Sequence, residues 1–178
     1  SERKKLNFKK DQKIFCTTTK IVQRKPIIKW ISPIIDILRK NSNIVYCLAG
    51  FMDDEHSKKK LIEIRDIYSG DNLRLLPLLS YKKLNDLYNA SDYSIWFDAS
   101  ITIQESMGTG LKIIIPNSKR VNHLVDDENG YFFDDILDIP KLITDVPKDY
   151  NRDELVKNNL KYSYDSIVLN IIDQLNFR

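Results

Sequence analysis

The sequence predicts an α/β domain with a Rossmann-like, doubly wound parallel sheet of about six strands. Two observations lead to this prediction. Short apolar runs alternate along the chain with longer stretches of helical periodicity, an order typical of parallel strands joined by crossover helices. In addition, the 178 residues, 42% of them hydrophobic and 30% charged, suffice for one domain with a substantial core. Right-handed crossovers then favour the doubly wound arrangement.

The predicted elements follow in βα order. The strands are KIFCTT (13–18), NIVYCLA (43–49), NLRLL (72–76), DYSIWF (92–97), KIIIP (112–116) and GYFF (130–133). The helices between them are 26–40, 55–68, 80–90, 102–109 and 118–125. Because Pro33 costs about 3 kcal/mol in a helix interior, the first helix is expected either to kink there or to begin near Ser32.

The two ends of the chain lie outside this alternation. Residues 1–11 are basic and lack an apolar segment, which predicts a lead-in open to disorder rather than a signal peptide. The start without Met favours a fragment or a processed chain. Residues 150–178 are predicted to form a helical extension, after a short helix at 138–145. Apolar residues at three- and four-residue spacing indicate one long amphipathic helix there: Leu155, Leu160, Tyr164, Ile167, Val168, Ile171, Ile172 and Leu175.

Composition narrows the classes of function. No apolar run approaches the roughly 20 residues that span a bilayer, so a cytoplasmic protein is expected. The excess of basic over acidic residues, 28 − 25 = 3, is too small to imply a nucleic-acid partner. Cys16 and Cys47 lie in apolar stretches and are predicted to be buried thiols. His56 and His123 are isolated from each other and from cysteine, so no metal site is expected.

The loop after the fourth strand is the main candidate for a ligand site. No dinucleotide, P-loop or hydrolase motif is present. In doubly wound sheets, ligands lie beyond the carboxyl ends of the strands where strand order reverses, which points to the loops after the first and fourth strands. In DASITIQESMGTG (98–110), Thr102 and Glu105 fit a capping box. Alternatively, the start of this helix binds a phosphate, and Glu105 accepts hydrogen bonds from ribose hydroxyls.

Three segments in order carry a resemblance to a known family. They are LSYKKLNDLYNASDYSIW (79–96), ESMGTGLKI (105–113), in the place of the family's EAMAxGxPV motif, and VDDENGYFF (125–133). From about residue 12 to 134 the chain resembles the carboxy-terminal, donor-binding domain of GT-B glycosyltransferases, in particular the retaining family 4. The resemblance implies a UDP-, GDP- or ADP-linked sugar as donor and no metal or other cofactor. It also implies an amino-terminal acceptor domain that these 178 residues lack.

The resemblance assigns the acidic positions. Glu105 matches the second Glu of the family's acidic motif, which holds the ribose hydroxyls of the donor. The first Glu, which lies by the donor sugar, falls on Phe97 instead. Asp98 supplies the missing carboxylate if the loop differs by one residue, and is the candidate catalytic residue. Otherwise Asp98 is a turn-forming residue.

The resemblance also assigns the phosphate site. Lys20 stands in the place of the family's Arg, and Lys25 in that of its later Lys. Lysine neutralises a diphosphate but does not hold it bidentately, a loss for which Arg24 can compensate. The backbone N–H groups of Ser100, Ile101 and Thr102 are expected to face the phosphates or the hexose.

The implied function is sugar transfer from a nucleotide sugar to a glycan, lipid or other acceptor, in polysaccharide biosynthesis. Cations and the helix start would stabilise the leaving diphosphate. The domain alone is expected to bind donor weakly and to transfer nothing, with membrane contact only peripheral, at the inner face. Two alternatives stay open. The departures at Phe97 and Lys20 permit a non-catalytic binding or regulatory subunit, and a GT-B-shaped epimerase would need a further acid/base set.

Overall fold

In the computed structural model, which describes residues 2–176, six strands form one parallel sheet. They are β1 (Lys13–Thr18), β2 (Ile44–Phe51), β3 (Leu73–Pro77), β4 (Tyr93–Ile95), β5 (Lys112–Pro116) and β6 (Gly130–Phe133). The strand order is β3-β2-β1-β4-β5-β6, and every neighbouring pair is parallel. The order therefore reverses between β1 and β4. This confirms the predicted doubly wound sheet.

Helices connect the strands and follow the last one. They are α1 (Glu2–Lys5), α2 (Ile27–Lys40), α3 (Glu55–Ile67), α4 (Tyr81–Ala90), α5 (Thr102–Gly108), α6 (Ile139–Asp145), α7 (Arg152–Asn159) and α8 (Tyr164–Asn176). Short 3₁₀ turns lie at Asn122–Leu124, Ile136–Asp138 and Leu160–Tyr162. The helix predicted at 118–125 is wrong, because only the first of these turns forms there. Its apolar anchors, Val121 and Leu124, are three residues apart, which suits a single 3₁₀ turn.

The central strands are buried on both faces, and their successive side chains point to opposite sides of the sheet. Phe15 of β1 packs in the core that α2 covers, whereas Ile14 and Cys16 pack in the core that α4 covers. Cys16 and Cys47 are register partners on adjacent strands, and both are free and fully buried, as predicted. Pro33 lies inside α2, which runs without a break from Ile27 and does not begin near Ser32.

The amino-terminal lead-in differs from the expected disorder over residues 1–11. From Glu2 onward it forms α1 and a following turn that pack on the domain. Arg3 makes an ion pair with the largely buried Asp92, whose other oxygen accepts the N–H of Ile14 at 2.7 Å. The Phe8 ring is buried, and the Arg74 guanidinium lies 4.0 Å from its centroid. These partners are distant in sequence, so the local basic composition did not reveal them.

The single long helix predicted at the carboxyl end is also wrong, because a 3₁₀ turn and Ser163 separate α7 from α8. The side chain of Ser163 accepts the N–H of Ser166 at 3.2 Å and so caps the start of α8. Apolar side chains of α8 are exposed, among them Tyr164, Val168, Leu169, Ile171 and Ile172. The side chain of Leu175, also part of the predicted apolar stripe, lies outside the described residues.

Arg152, at the start of α7, joins the extension to the rest of the domain. Its Nε donates to the carbonyl of Thr109 at 3.1 Å, just after α5. Its terminal nitrogens donate to carbonyls at the end of α4, those of Tyr88 (2.7 Å), Asn89 (3.0 Å) and Ser91 (3.0 Å). Because the last carbonyls of a helix lack intrahelical partners, this one side chain satisfies groups at two helix ends.

Candidate functional site

A cleft of about 660 Å³ opens at the carboxyl ends of the strands, where strand order reverses. The loop after β1 forms one side with Thr19, Lys20 and Lys25, and the loop after β4 forms the other with Ser100 and Thr102. The wall near β3 is apolar and is made by Leu78, Leu79 and Leu84. The cleft lies where a doubly wound sheet is expected to bind its ligand.

A glycine fixes the loop after β1 against the end of β2. Gly50 has φ +131, a conformation that favours glycine, and a Cβ there would lie 1.8 Å from the carbonyl oxygen of Thr19. The N–H of Thr19 donates to Ala49 O at 2.9 Å, and the N–H of Ile21 donates to Gly50 O at 3.1 Å. The backbone on both sides of Lys20 is therefore held in place.

Three cations line the cleft: Lys20, Arg24 and Lys25. Within residues 2–176, no acidic side chain lines it. Lys25 is half-buried and donates from Nζ to Thr19 Oγ1. Burial lowers the pKa of the Lys25 ammonium and the neighbouring Arg24 lowers it further, while Asp98 acts in the opposite direction. The cleft therefore has a positive field that suits an anion.

The loop entering α5 presents unbonded amides. Among the described residues, the N–H groups of Ser100, Ile101 and Thr102 donate no hydrogen bond. The hydroxyls of Ser100 and Thr102 bond each other at 2.7 Å. Ile101 does not itself line the cleft, and its side chain is 62% exposed.

The capping-box interpretation of Thr102 and Glu105 is wrong. Ile101 occupies the N-cap position, Thr102 is the first helical residue, and no side chain caps this end. Glu105 Oε2 is instead buried without a hydrogen-bond partner in the described part of the chain. A buried oxygen without a partner is costly, so a helix-capping role does not explain why Glu105 is there.

Glu105 does not line the main cleft but a neighbouring crevice of about 400 Å³ between α4 and α5. Tyr81 and Tyr88 line this crevice, and Leu84 borders both the crevice and the cleft. On its other side, Glu105 also borders a smaller cavity of about 240 Å³ against α7 and the start of α8. The ribose and phosphate candidates thus occupy two adjoining spaces.

Neither Phe97 nor Asp98, the two positions considered for the family's first acidic residue, brings a carboxylate into the cleft. Phe97 stacks on Trp30, with ring centroids 5.0 Å apart and planes within 4°. Asp98 accepts from Arg120 Nη1 at 3.1 Å and from the N–H of Ala99 at 2.8 Å. Asp98 borders a small cavity beside Lys25 and not the main cleft, so the predicted catalytic residue is engaged elsewhere in this structure.

Tyr88 lies beside the cleft, and its contacts there could not be predicted from the sequence. Its hydroxyl lies 2.6 Å from Thr18 Oγ1 and 3.5 Å from the carbonyl oxygen of Thr102. Thr18 and Thr102 both line the cleft, and the ring lines the crevice of Glu105. From the sequence alone, Tyr88 is indistinguishable from the apolar residues Leu84 and Leu87, with which it shares one face of α4. A buried hydroxyl needs a partner, and only that requirement could have revealed it.

Comparison with known proteins identifies the family. The profile described as "Glycosyl transferases group 1" matches residues 1–162. The chain belongs to this family. No curated protein sequence matches the chain.

Solved structures of glycosyltransferases share the fold of this group 1 domain. Sucrose-phosphate synthase from Thermosynechococcus elongatus superposes with a TM-score of 0.73 at 15% identity, over 99% of this chain and 48% of that one. HepE from Anabaena, in complex with UDP-glucose, gives 0.70 at 15% identity, over 99% and 51%. The catalytic domain of starch synthase IV from Arabidopsis thaliana, bound to ADP and acarbose, gives 0.69 at 20% identity, over 96% and 40%. The predicted GT-B fold is confirmed, and the chain spans about half the length of these structures or less.

Two further observations concern membranes and metals. Between residues 2 and 176, no helix is long and apolar enough to cross a membrane. In the same range, no three His, Cys, Asp or Glu side chains cluster as metal ligands would. The expectation of a reaction without a metal stays a prediction, as do the assignment to family 4 and the roles of the individual site residues.

Proposed function

We propose that this group 1 domain is the donor-binding half of a nucleotide-sugar-dependent glycosyltransferase. The observation that carries the proposal is the cleft at the reversal of strand order, which three cations and no described acidic side chain line. A nucleoside diphosphate sugar combines a doubly charged diphosphate with a base, a ribose and a hexose. Its anionic centre therefore matches the positive side of the cleft.

Lys20 and Lys25 would bind the diphosphate from the loop after β1. A hydrogen bond from a charged group contributes about 1.5–3 kcal/mol, and both ammonium groups lie on a loop whose backbone Gly50 fixes. The unbonded amides of Ser100, Ile101 and Thr102 would approach the phosphates or the hexose from the opposite side. During transfer, charge builds up on the leaving diphosphate, and prepositioned donors of this kind stabilise it.

Glu105 would bind the ribose hydroxyls from the adjoining crevice. Its unpartnered Oε2 supports this role, because two vicinal hydroxyls would supply the missing donors. The donor would then extend from the cleft past Leu84 into the crevice, with the base against the apolar wall near β3. The proposed donor is a UDP-, GDP- or ADP-linked sugar. HepE carries UDP-glucose and starch synthase IV carries ADP in their structures, which supports a nucleotide-linked donor.

The transfer itself would need a second, acceptor-binding half. We propose that this half resembles the remainder of the structural relatives, whose length is about twice that of this chain or more. The proposed reaction is a retaining hexosyl transfer without a metal, to a glycan, lipid or other acceptor in polysaccharide biosynthesis. We place the protein in the cytoplasm, with no nucleic-acid partner and with any membrane contact peripheral. The chain alone would bind donor but transfer nothing.

A second candidate function is a non-catalytic subunit that binds nucleotide sugars. Phe97 stands where the family's first Glu is expected and stacks on Trp30, and Asp98 is paired with Arg120. In this arrangement, neither position brings a carboxylate into the cleft. Asp98 could act in the reaction only after leaving Arg120. Transfer by a protein that contains both halves, and its loss in Asp98→Asn, would favour the enzyme.

The test is binding of UDP, GDP, ADP and CMP to the 178-residue chain, measured by calorimetry and by melting temperature. A ligand at 100 times its dissociation constant stabilises the fold by about 2.7 kcal/mol. Glu105→Gln should weaken the preferred nucleoside diphosphate by about ten- to a hundredfold, the equivalent of about 1.5–3 kcal/mol. Glu154→Gln, at an exposed glutamate in the first turn of α7, is the matched control.

Two results would count against the proposal. If no nucleotide at millimolar concentration changes the melting temperature or gives a binding heat, the donor site is refuted. If a nucleotide binds equally well to Glu105→Gln and to the unsubstituted chain, the ribose assignment alone is lost.

A further inference from the structure

We propose that Tyr88 is a positioning residue of the donor site, whose hydroxyl joins the end of β1 to the start of α5. This inference rests on the proposed function. Tyr88 is fully buried apart from its contact with the crevice and would not be expected to touch the phosphates itself. It would act through Thr18 and Thr102, which it links and which both line the cleft.

The contact to β1 is the stronger of the two. The hydroxyl lies 2.6 Å from Thr18 Oγ1, inside the usual range for two hydroxyls. Thr18 is the last residue of β1 and directly precedes the loop that contains Lys20 and Lys25. A fixed Thr18 side chain therefore sets where this loop leaves the sheet.

The contact to α5 is longer, with 3.5 Å between the hydroxyl and the carbonyl oxygen of Thr102. It is weak at this length and requires the hydroxyl to donate. Thr18 must then donate to Tyr88, and the order of the protons along the chain of bonds is fixed. Thr102 is the first residue of α5, and Glu105 follows one turn later, so this contact connects the start of the helix that carries the ribose candidate to β1, which leads into the loop of Lys20 and Lys25.

The surroundings of Tyr88 keep its hydroxyl protonated and its ring packed in the core. Burial is the main cause that raises the pKa of Tyr88, and the charge of Glu105 raises it as well. The carbonyl of Tyr88 accepts from Arg152 Nη2 at 2.7 Å, which anchors the backbone at this point of α4. A tyrosine held at both ends is a rigid spacer between the two loops.

A second tyrosine shows what a purely structural hydroxyl looks like in the same fold. Tyr46 on β2 donates to Thr17 Oγ1 at 2.7 Å, one residue before Thr18 on the same strand. That bond is fully buried, lies in the core on the other face of the sheet, and does not border the cleft. Tyr46 and Tyr88 thus each bond a threonine of β1 through the hydroxyl at a similar distance, and of these two bonds that of Tyr88 lies beside the cleft.

The experiment compares Tyr88→Phe with Tyr46→Phe in the 178-residue chain, with UDP, GDP and ADP as probes. Each variant loses one short, buried tyrosine–threonine hydrogen bond, and Tyr88→Phe also loses the long, weak contact to Thr102. Both should therefore lower the melting temperature, and to a similar extent. Only Tyr88→Phe should raise the dissociation constant of the preferred nucleoside diphosphate, by about five- to tenfold. A residue that merely stabilised the fold would leave the affinity of the folded protein unchanged.

A double-mutant cycle separates the effect of the bond between Tyr88 and Thr18 from the effect of destabilising the fold. Thr18→Val removes the partner hydroxyl, whereas Thr18→Ser retains it and should restore most of the affinity. If the two hydroxyls act as one bond, Tyr88→Phe combined with Thr18→Val should weaken binding no more than the stronger single substitution. Fully additive losses would overturn the proposed link.

The outcomes distinguish this inference from the proposed function. If the unsubstituted chain binds a nucleotide and Tyr88→Phe binds it equally well, the positioning role is refuted and the donor site stands. Equal losses of affinity in Tyr46→Phe and Tyr88→Phe would also refute it, because the effect would then be one of stability. If the unsubstituted chain binds no nucleotide at all, both proposals fail.

Discussion

Replacing Lys25 by methionine is expected to weaken nucleotide binding without destabilising the fold. The ammonium is half-buried in the cleft, donates to Thr19 Oγ1 and lies near the like charge of Arg24. Methionine keeps the unbranched apolar stem and removes only the charge and its donors. The substitution therefore separates the cost of holding a cation in the cleft from the benefit of having it there for a ligand.

The lowered pKa of Lys25 gives the sign of the stability effect. In the folded chain the pKa lies below its ordinary value of 10.5, chiefly because of burial, so the unfolded chain binds the proton more tightly. The charged lysine thus opposes folding at neutral pH, and this penalty is relieved as the pH rises through the lowered pKa toward 10.5. Lys25→Met removes the penalty but also the bond to Thr19. We expect the free energy of unfolding to change by less than about 0.5 kcal/mol.

The expected loss of affinity is much larger. A charge-assisted bond to a phosphate contributes about 1.5–3 kcal/mol, which corresponds to a dissociation constant about ten to a hundred times higher. Calorimetric titration with the preferred nucleoside diphosphate measures this change, and thermal or urea denaturation measures stability. Lys29→Met is the matched control, because Lys29 is an exposed lysine of α2 that does not line the cleft. A loss of more than 1 kcal/mol of stability with unchanged affinity would refute the reasoning.

Two further predictions concern the aromatic cluster and the thiols. Phe97→Glu should destabilise the fold by about 3 kcal/mol or more, because the ring packs between Trp30 and Phe133, and thermal denaturation against Phe97→Leu checks this. A melting temperature equal to that of Phe97→Leu would contradict it. Burial raises the pKa of Cys16 to about 12 and that of Cys47 further, so native protein at pH 8 should scarcely react with a thiol reagent, whereas denatured protein reacts fully. Rapid native reaction at either cysteine would show that burial is incomplete.

The sheet could be predicted from sequence because its central strands are buried on both faces. Such strands appear as continuous apolar runs. Two of these central spans, 13–18 and 112–116, and the edge strand 130–133 were predicted with the same ends as in the structure. The fourth strand was predicted too long, at 92–97 instead of Tyr93–Ile95. Trp96 and Phe97 continue the apolar run but serve the packing of the following loop, and hydrophobicity alone does not distinguish the two uses.

The site was only partly predictable. Lys20, Lys25, Ser100 and Thr102 meet in one cleft because topology brings the loops after β1 and β4 together, and the βα order was readable. The position of Glu105 could not be predicted from the sequence. The S/T-x-x-E pattern is a local signal for a capping box, whereas the backbone places Ile101 at the N-cap.

Contacts between residues far apart in the chain could not be predicted either. The hydroxyl of Tyr88 meets Thr18, which lies 70 positions away, and Arg3 meets Asp92, 89 positions away. Neither pair has a signature in the spacing of nearby residues. A periodic pattern indicates which face of a helix is buried, but it does not indicate which polar group a buried hydroxyl or guanidinium will reach.

The contacts of the Arg152 guanidinium have a practical consequence for the design of truncated forms. A truncated form that stopped before Arg152 would leave four carbonyl oxygens at the ends of α4 and α5 without their donor, beside the very helices that border the crevice. The last turns of both helices would then fray into solvent. A shortened expression clone should therefore extend at least through α7, and the family match, which reaches residue 162, ends just beyond that boundary.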